Sequence, residues 1–225
     1  MQKSILLMPI SEFRIIRSLR RKRISFRFAP DGILEILAPQ DVSESYLRQA
    51  VINNLPKLEK LKKRTPVRTY PDFSDGSKFM LLGIPYPLRI TARLRTFDQA
   101  FLIPAGNAEK MKHSLITLYR ELAGTIIRDR IGKWENICGV SPRKIRISSA
   151  SFRWGSCTSD KTVSFSWKLI QCPPGTVDYV IVHELSHLKE LNHSPNFWRL
   201  VKEAMPDFKT RQELLKQFAK TLPVW

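Results

Sequence analysis

Three of the four histidines of the chain, His183, His187 and His193, lie within eleven residues, and Glu184 directly follows the first of them. Residues four apart in an α-helix share one face, so the imidazoles of His183 and His187 can bind the same ion. Glu184 is rotated by about 100° from His183, which places its carboxylate beside the ion, where it can act as a general base. The segment VIVHELSHLKELNHSPNFW therefore predicts a catalytic metal site.

His193 is the candidate for the third ligand. A catalytic zinc ion usually has three protein ligands and one open position for water. The same ligand spacing occurs in the motif HExxHxxGxxH, whose glycine is replaced here by Glu190. The helix must end before His193, and we expect the chain to reverse at Asn192, because asparagine tolerates a left-handed conformation. Ser194 and Pro195 are then suited to begin a new helix.

The chemistry that these residues predict is metal-dependent hydrolysis, with zinc as the ion and another divalent metal as the alternative. Water held by zinc has a lowered pKa, gives a proton to Glu184 and attacks a carbonyl or phosphoryl centre. Without a metal, the two helical histidines would simply form ordinary hydrogen bonds. Cys157 as a fourth ligand would close the site to water, so we place it outside the ligand set. We expect His113, far away in the sequence, to be a surface or core residue.

The segment RWGSC, residues 153–157, predicts a tight turn near the site. Arg153 has two interpretations. It either binds a substrate carboxylate or phosphate and stabilises a developing oxyanion, or it is a turn residue paired with an acidic neighbour. The cysteines are odd in number and form no CxxC pair, which predicts three reduced thiols at Cys138, Cys157 and Cys172.

The elements that must position these residues predict an α+β protein. Residues 1–105 are strand-rich with one helix, and residues 106–225 form a second domain that carries the metal site. Strands are predicted by alternating apolar residues, and the helices begin at capping residues. The expected elements are a hairpin over 24–37, a helix after Ser43 or Ser45, strands over 78–82, 86–92 and 97–103, a long helix from Asn107 to Gly139, strands over 144–152 and 162–169, and a metal-binding helix capped by Thr176.

Net charge is the most pronounced bulk property: 38 Lys and Arg oppose 20 Asp and Glu, giving +18. Such a balance attracts polyanions. The basic runs 17–23 and 60–64 are either an anion-binding face for nucleic acid or a triphosphate, or a solvated surface in which charge protects a strand edge. No motif of a sequence-specific DNA reader accompanies them, so any nucleic-acid contact is expected to be nonspecific.

Composition predicts a globular protein, with 43% hydrophobic residues. No apolar run approaches the ~20 residues that span a bilayer. The amino-terminal sequence MQKSILLMPI lacks the apolar region and cleavage site of a signal peptide. We therefore expect a cytoplasmic protein without membrane association.

The segments RWGSC, SFSWKLI and CPPGTVDYVIVHELSHLKELNHSPNFW, together with RRKRISFRF and LGIPYPL in the first half, resemble the YgjP-like metal-dependent hydrolases. These are zincin-like proteins related to the SprT-like and Wss-like metallopeptidases. The resemblance implies a zincin-like domain behind a strand-rich amino-terminal region, zinc ligands His183, His187 and His193, and catalytic Glu184. Some members of the family are described as peptidase-like, and others as nucleoside triphosphate pyrophosphatases.

The predicted function is that of a zinc-dependent metallopeptidase in which Glu184 activates metal-bound water, with a polypeptide substrate lying antiparallel along residues 164–167. The alternatives are a metal-dependent nucleoside triphosphate pyrophosphohydrolase, and a DNA-associated protease or metal-containing binding module. The sequence indicates neither the physiological substrate nor the oligomeric state.

Overall fold

The computed structural model describes residues 13–29, 32–64, 70–93, 95–150 and 153–225, and it confirms the predicted α+β class. The chain divides into two compact units. One comprises the described residues of Met1–Pro71 together with Lys220–Trp225, and the other is Asp72–Ala219.

The first unit is a small sheet covered by one helix. Its elements are β1 (Phe13–Ser18), β2 (Ser25–Phe28), β3 (Leu34–Pro39) and α1 (Glu44–Arg64). The central strand β3 pairs with β1 in parallel and with β2 in antiparallel fashion, which confirms the predicted hairpin. Residues 30 and 31 of its predicted turn lie outside the described residues. Alternate residues of β3 pack against the apolar face of α1, including Ile36 and Ala38 against Leu47 and Val51.

The second unit begins with a four-stranded sheet and the longest helix. The strands are β4 (Lys78–Leu81), β5 (Ile84–Thr91), β6 (Thr96–Phe97) and β7 (Phe101–Pro104), in the order β4-β5-β7-β6. Helix α2 (Ala108–Cys138) begins and ends as predicted. The Asn107 side chain accepts a hydrogen bond from the Lys110 amide, and Gly139 ends the helix in the left-handed conformation with φ 62°.

The compact units divide between Pro71 and Asp72, whereas the predicted boundary lies near residue 105. Hydrogen bonds explain the difference. The Tyr119 hydroxyl of α2 donates to the Met80 carbonyl of β4 at 2.7 Å. The Leu82 amide donates to the Ile170 carbonyl at 2.7 Å. The sheet of strands β4–β7 is therefore hydrogen-bonded to the helical half of the chain.

A second sheet of three strands precedes, in the chain, the helix that carries His183. Its strands are β8 (Lys144–Ser148), β9 (Gly155–Cys157) and β10 (Thr162–Ser166), in the order β8-β10-β9. Because β10 pairs with β8 on one side and with β9 on the other, it has no free edge. The prediction that a substrate pairs with residues 164–167 is therefore wrong. Among the described strands of this sheet, β8 and β9 each have one unpaired edge, and β9 carries Gly155, which lies against Glu184.

The chain continues through a 3-10 helix (Trp167–Gln171) to α3 (Pro174–Ser186), α4 (Pro195–Ala204) and α5 (Phe208–Ala219). Helix α3 begins at Pro174, two residues before the predicted cap Thr176, because proline fits the first helical position. Residues 176–182 and 184–186 are buried, as in a helix that crosses a core. Asp178 of α3 accepts two hydrogen bonds from the Arg130 guanidinium of α2, at 2.8 and 2.9 Å.

Candidate metal centre

The three histidines converge as the spacing predicts. His183 lies in the last turn of α3, His187 is the residue that ends the helix, and His193 follows in the connection to α4. One ligand atom from each imidazole lies within 4.8 Å of the others. The Nε2 atoms of His183 and His193 are 3.0 Å apart.

The chain reverses between His187 and His193 without a left-handed residue. The positive-φ residues of the described chain lie elsewhere, so the prediction of a left-handed Asn192 is wrong. Instead, the helix tightens at its end: the amides of Lys189 and Glu190 both donate to the Ser186 carbonyl, at 3.1 Å each. Helix α4 then begins as predicted, with the Ser194 hydroxyl accepting from the Phe197 amide.

Neighbouring groups hold each imidazole in place. The Nδ1 atom of His187 lies 3.0 Å from the Glu190 carbonyl oxygen; donation to this acceptor leaves Nε2 free for a ligand. Phe197 is fully buried, and its ring centroid lies 4.4 to 4.9 Å from those of all three histidines. The Trp198 ring stacks on that of His193 at 5.8 Å. An apolar platform on α4 therefore supports the cluster.

The cluster fits a divalent metal such as zinc. Burial lowers the pKa of His183 to about 4, and burial also lowers that of His187, so both imidazoles are neutral at neutral pH, the form that binds metals. Around a tetrahedral ion with Zn–N distances of about 2.0–2.1 Å, two nitrogens are separated by about 3.3 Å, close to the His183–His193 spacing. Three imidazoles are also the donor set of a known catalytic zinc class.

Glu184 lies beside the cluster and is 5% exposed. Burial raises the pKa of its carboxyl group to about 8, and the nearby Arg153 guanidinium opposes this shift. Gly155 on β9 makes the position of Glu184 sterically feasible. A Cβ atom at residue 155 would lie 2.6 Å from Cγ and Oε1 of Glu184, closer than real Cβ atoms approach. A glycine inside a strand often marks such a close approach.

Arg153 is exposed, and it lines a cavity of about 300 Å³ together with His183 and Glu184. The structure thus brings Arg153 to the site, near the carboxylate that it affects electrostatically. Sequence reasoning missed Gly155 and the contribution of α5 to the cavity, from Gln212, Leu215 and Lys216. The position of Gly155 inside RWGSC was the one available signal for its role.

Other candidate residues remain outside the metal cluster. The cluster formed by the described residues contains only the three histidines. Cys157 lies near Glu184, and burial and that carboxylate raise the pKa of its thiol. His113 is exposed on α2. Cys138, Cys157 and Cys172 are all free thiols, as predicted.

Converging imidazoles beside a buried carboxylate define a metal-dependent hydrolase. The profile of the YgjP-like family, described as "YgjP-like, metallopeptidase domain", matches residues 22–218. The chain belongs to this family, as the sequence resemblance predicts. No curated protein matches the chain. None of the described helices combines the length and apolar character needed to cross a bilayer.

Two solved structures of metallopeptidase zymogens are similar to part of the chain. Abylysin from Pyrococcus abyssi is 21% identical, and the match covers 44% of this chain and 99% of that one, with a TM-score of 0.39. Jannalysin from Methanocaldococcus jannaschii is 18% identical, and the match covers 41% of this chain and 96% of that one, with a TM-score of 0.37.

Proposed function

We propose that the protein is a zinc-dependent metallopeptidase in which Glu184 is the general base. The observation that carries the proposal is the convergence of three imidazoles next to a buried carboxylate, at a strand with an open edge. His183, His187 and His193 would hold the ion. When bound, zinc would polarise the scissile carbonyl and lower the pKa of the attacking water.

The protein's own groups complete the reaction. The Glu184 carboxylate accepts a proton from the attacking water and passes it to the leaving amine, which is general base followed by general acid catalysis. Its buried position excludes bulk water, which strengthens its electrostatic interactions. The Arg153 guanidinium favours the ionised form of Glu184 and stabilises negative charge that develops on the substrate oxygen.

The open edge of β9 favours a polypeptide substrate. The Ser166 amide donates to the Trp154 carbonyl at 2.8 Å, and the Thr158 amide donates to the Thr162 carbonyl at 3.0 Å. Because hydrogen bonding alternates along an antiparallel pair, the backbone N–H and C=O groups of Gly155 and Cys157 point away from β10. An extended peptide can add to this edge as a further strand. Gly155 also touches Glu184, so such a peptide would run past the carboxylate.

The test compares wild-type protein with the Glu184→Gln variant after loading with zinc, and metal content is measured by mass spectrometry. Both proteins are assayed on an unfolded polypeptide and on nucleoside triphosphates. We expect proteolysis by the wild type and a loss of about 10²- to 10⁴-fold in the variant, with the metal retained. Glu203→Gln, the same change at an exposed position of α4, is the matched control.

Two results would contradict the proposal. Triphosphate hydrolysis that depends on Glu184, without any proteolysis, would assign the site to nucleotides. Tight zinc binding without turnover of either substrate would make the protein a metal-containing binding module.

A further inference from the structure

We propose that the cavity beside Glu184 binds the carboxy-terminal residue of a peptide, and that it selects a large apolar side chain at that position. This inference rests on the proposed peptidase function and specifies its substrate class. The cavity lies between β9, α3 and α5 and has a volume of about 300 Å³. That is the lower end of the range for ligand pockets, so the space suits a single residue rather than an extended ligand.

The walls of the cavity are apolar. Trp154, Val180 and Leu215 line it, and the last two are 4% and 5% exposed. Two of the polar wall groups engage each other: Gln212 Nε2 donates to the Tyr179 hydroxyl at 2.9 Å. A polar substrate side chain would therefore lose its hydration in the cavity, whereas an apolar side chain gains free energy from leaving water.

The charges that line the cavity favour a carboxylate. Arg153 and Lys216 supply two cations, and Glu184 is the one acidic residue among the lining groups. The Lys216 ammonium also lies 3.6 Å from Glu213. Both side chains of this pair are more than half exposed, so it is a weak surface ion pair that leaves Lys216 able to bind another anion. The α-carboxylate of a carboxy-terminal residue can form ion pairs with these cations. A residue inside a polypeptide chain has no such charge.

The experiment uses zinc-loaded protein and peptides that differ only in the final residue: Phe with a free carboxylate, Phe amide, and Gly with a free carboxylate. We expect kcat/KM for the Phe acid to exceed that for the amide by about 10- to 100-fold, the range of a hydrogen bond to a charged group. The kcat/KM for the Phe acid should also exceed the kcat/KM for the Gly acid by at least about tenfold.

Variants assign these preferences to the cavity. Leu215→Trp fills the space and should abolish the preference for Phe over Gly. Lys216→Ala should reduce the preference for the acid over the amide at least about threefold. Lys202→Ala removes the same charge from an exposed site on α4 and should leave both preferences unchanged.

A binding measurement separates this inference from the proposed function. Calorimetry with N-acetyl-L-phenylalanine and its amide needs no turnover. Tighter binding of the acid that is lost in Leu215→Trp supports the cavity assignment even if no peptide is cleaved. Proteolysis that depends on Glu184, but with equal rates for acid and amide and no effect of Leu215→Trp, overturns the inference and leaves the proposed function standing.

Discussion

Replacing Gly155 by alanine tests whether β9 sets the position of the general base. The new Cβ atom would lie 2.6 Å from Cγ and Oε1 of Glu184, about 0.8 Å closer than the shortest ordinary contact of 3.4 Å. The Gly155 backbone has no positive φ, so its conformation does not oppose the substitution. The strain is therefore relieved by moving the Glu184 side chain or the strand.

A displacement of roughly this size has a large catalytic cost, because a misplacement of about 1 Å lowers activity about 100-fold. We therefore expect kcat to fall about 10- to 100-fold in Gly155→Ala, with zinc content unchanged. The assay is steady-state hydrolysis of the polypeptide substrate, with zinc measured in the same samples. Gly132→Ala is the control, because a Cβ atom at this position of α2 meets nothing within 4 Å.

A double-mutant cycle shows whether the effect acts through Glu184. If it does, Gly155→Ala in the Glu184→Gln background causes no further loss of activity, since the two changes damage the same group. Wild-type kcat in Gly155→Ala would refute the reasoning. If Gly155→Ala lowered kcat by the same factor in the Glu184→Gln background, the reasoning would also be refuted, because the glycine would then act independently of the carboxylate.

Three further predictions concern the surroundings of the site. Phe197→Leu removes the ring beneath the imidazoles and should weaken zinc affinity about 10- to 100-fold, measured by competition with a chelator. Asp178→Asn breaks the partly buried pair with Arg130 and should lower the free energy of unfolding by about 2–3 kcal/mol in urea denaturation, whereas Glu203→Gln at the well-exposed pair with Arg199 should change it by less than about 1 kcal/mol. Burial raises the pKa of Cys172 to about 12, so the folded state retains a proton that the unfolded thiol loses above about pH 9. Stability relative to a Cys172→Ala variant should therefore fall by up to about 1.4 kcal/mol per pH unit between about pH 9 and 12.

Local patterns were sufficient to predict the metal cluster. A four-residue spacing within a helix determines which side chains share a face, so His183 and His187 could be paired from the sequence alone. Asn107 and Gly139 marked the ends of α2 for an equally local reason, since capping depends on a few adjacent residues. The assignment of His193 needed only that the helix end between His187 and Ser194.

The features that could not be predicted depend on contacts between distant residues. Which strand of a sheet has an open edge is set by the pairing of all its strands, so the alternating pattern of β10 did not reveal its central position. The close approach of Gly155 to Glu184 joins residues on separate elements, and no periodicity encodes it. The reversal after His187 was assigned to Asn192 on conformational preference, but the final turn of the helix tightens instead.

The placement of the three imidazoles has a consequence for how the ion enters and leaves. His183 and His187 lie at the end of a helix whose residues are mostly buried, whereas His193 is exposed and lies in a short connection. The helical pair is the less exposed part of the site, and His193 is the ligand that faces solvent. We therefore expect a bound ion to exchange with solution through a local movement of the His193 side chain, at a rate independent of global unfolding.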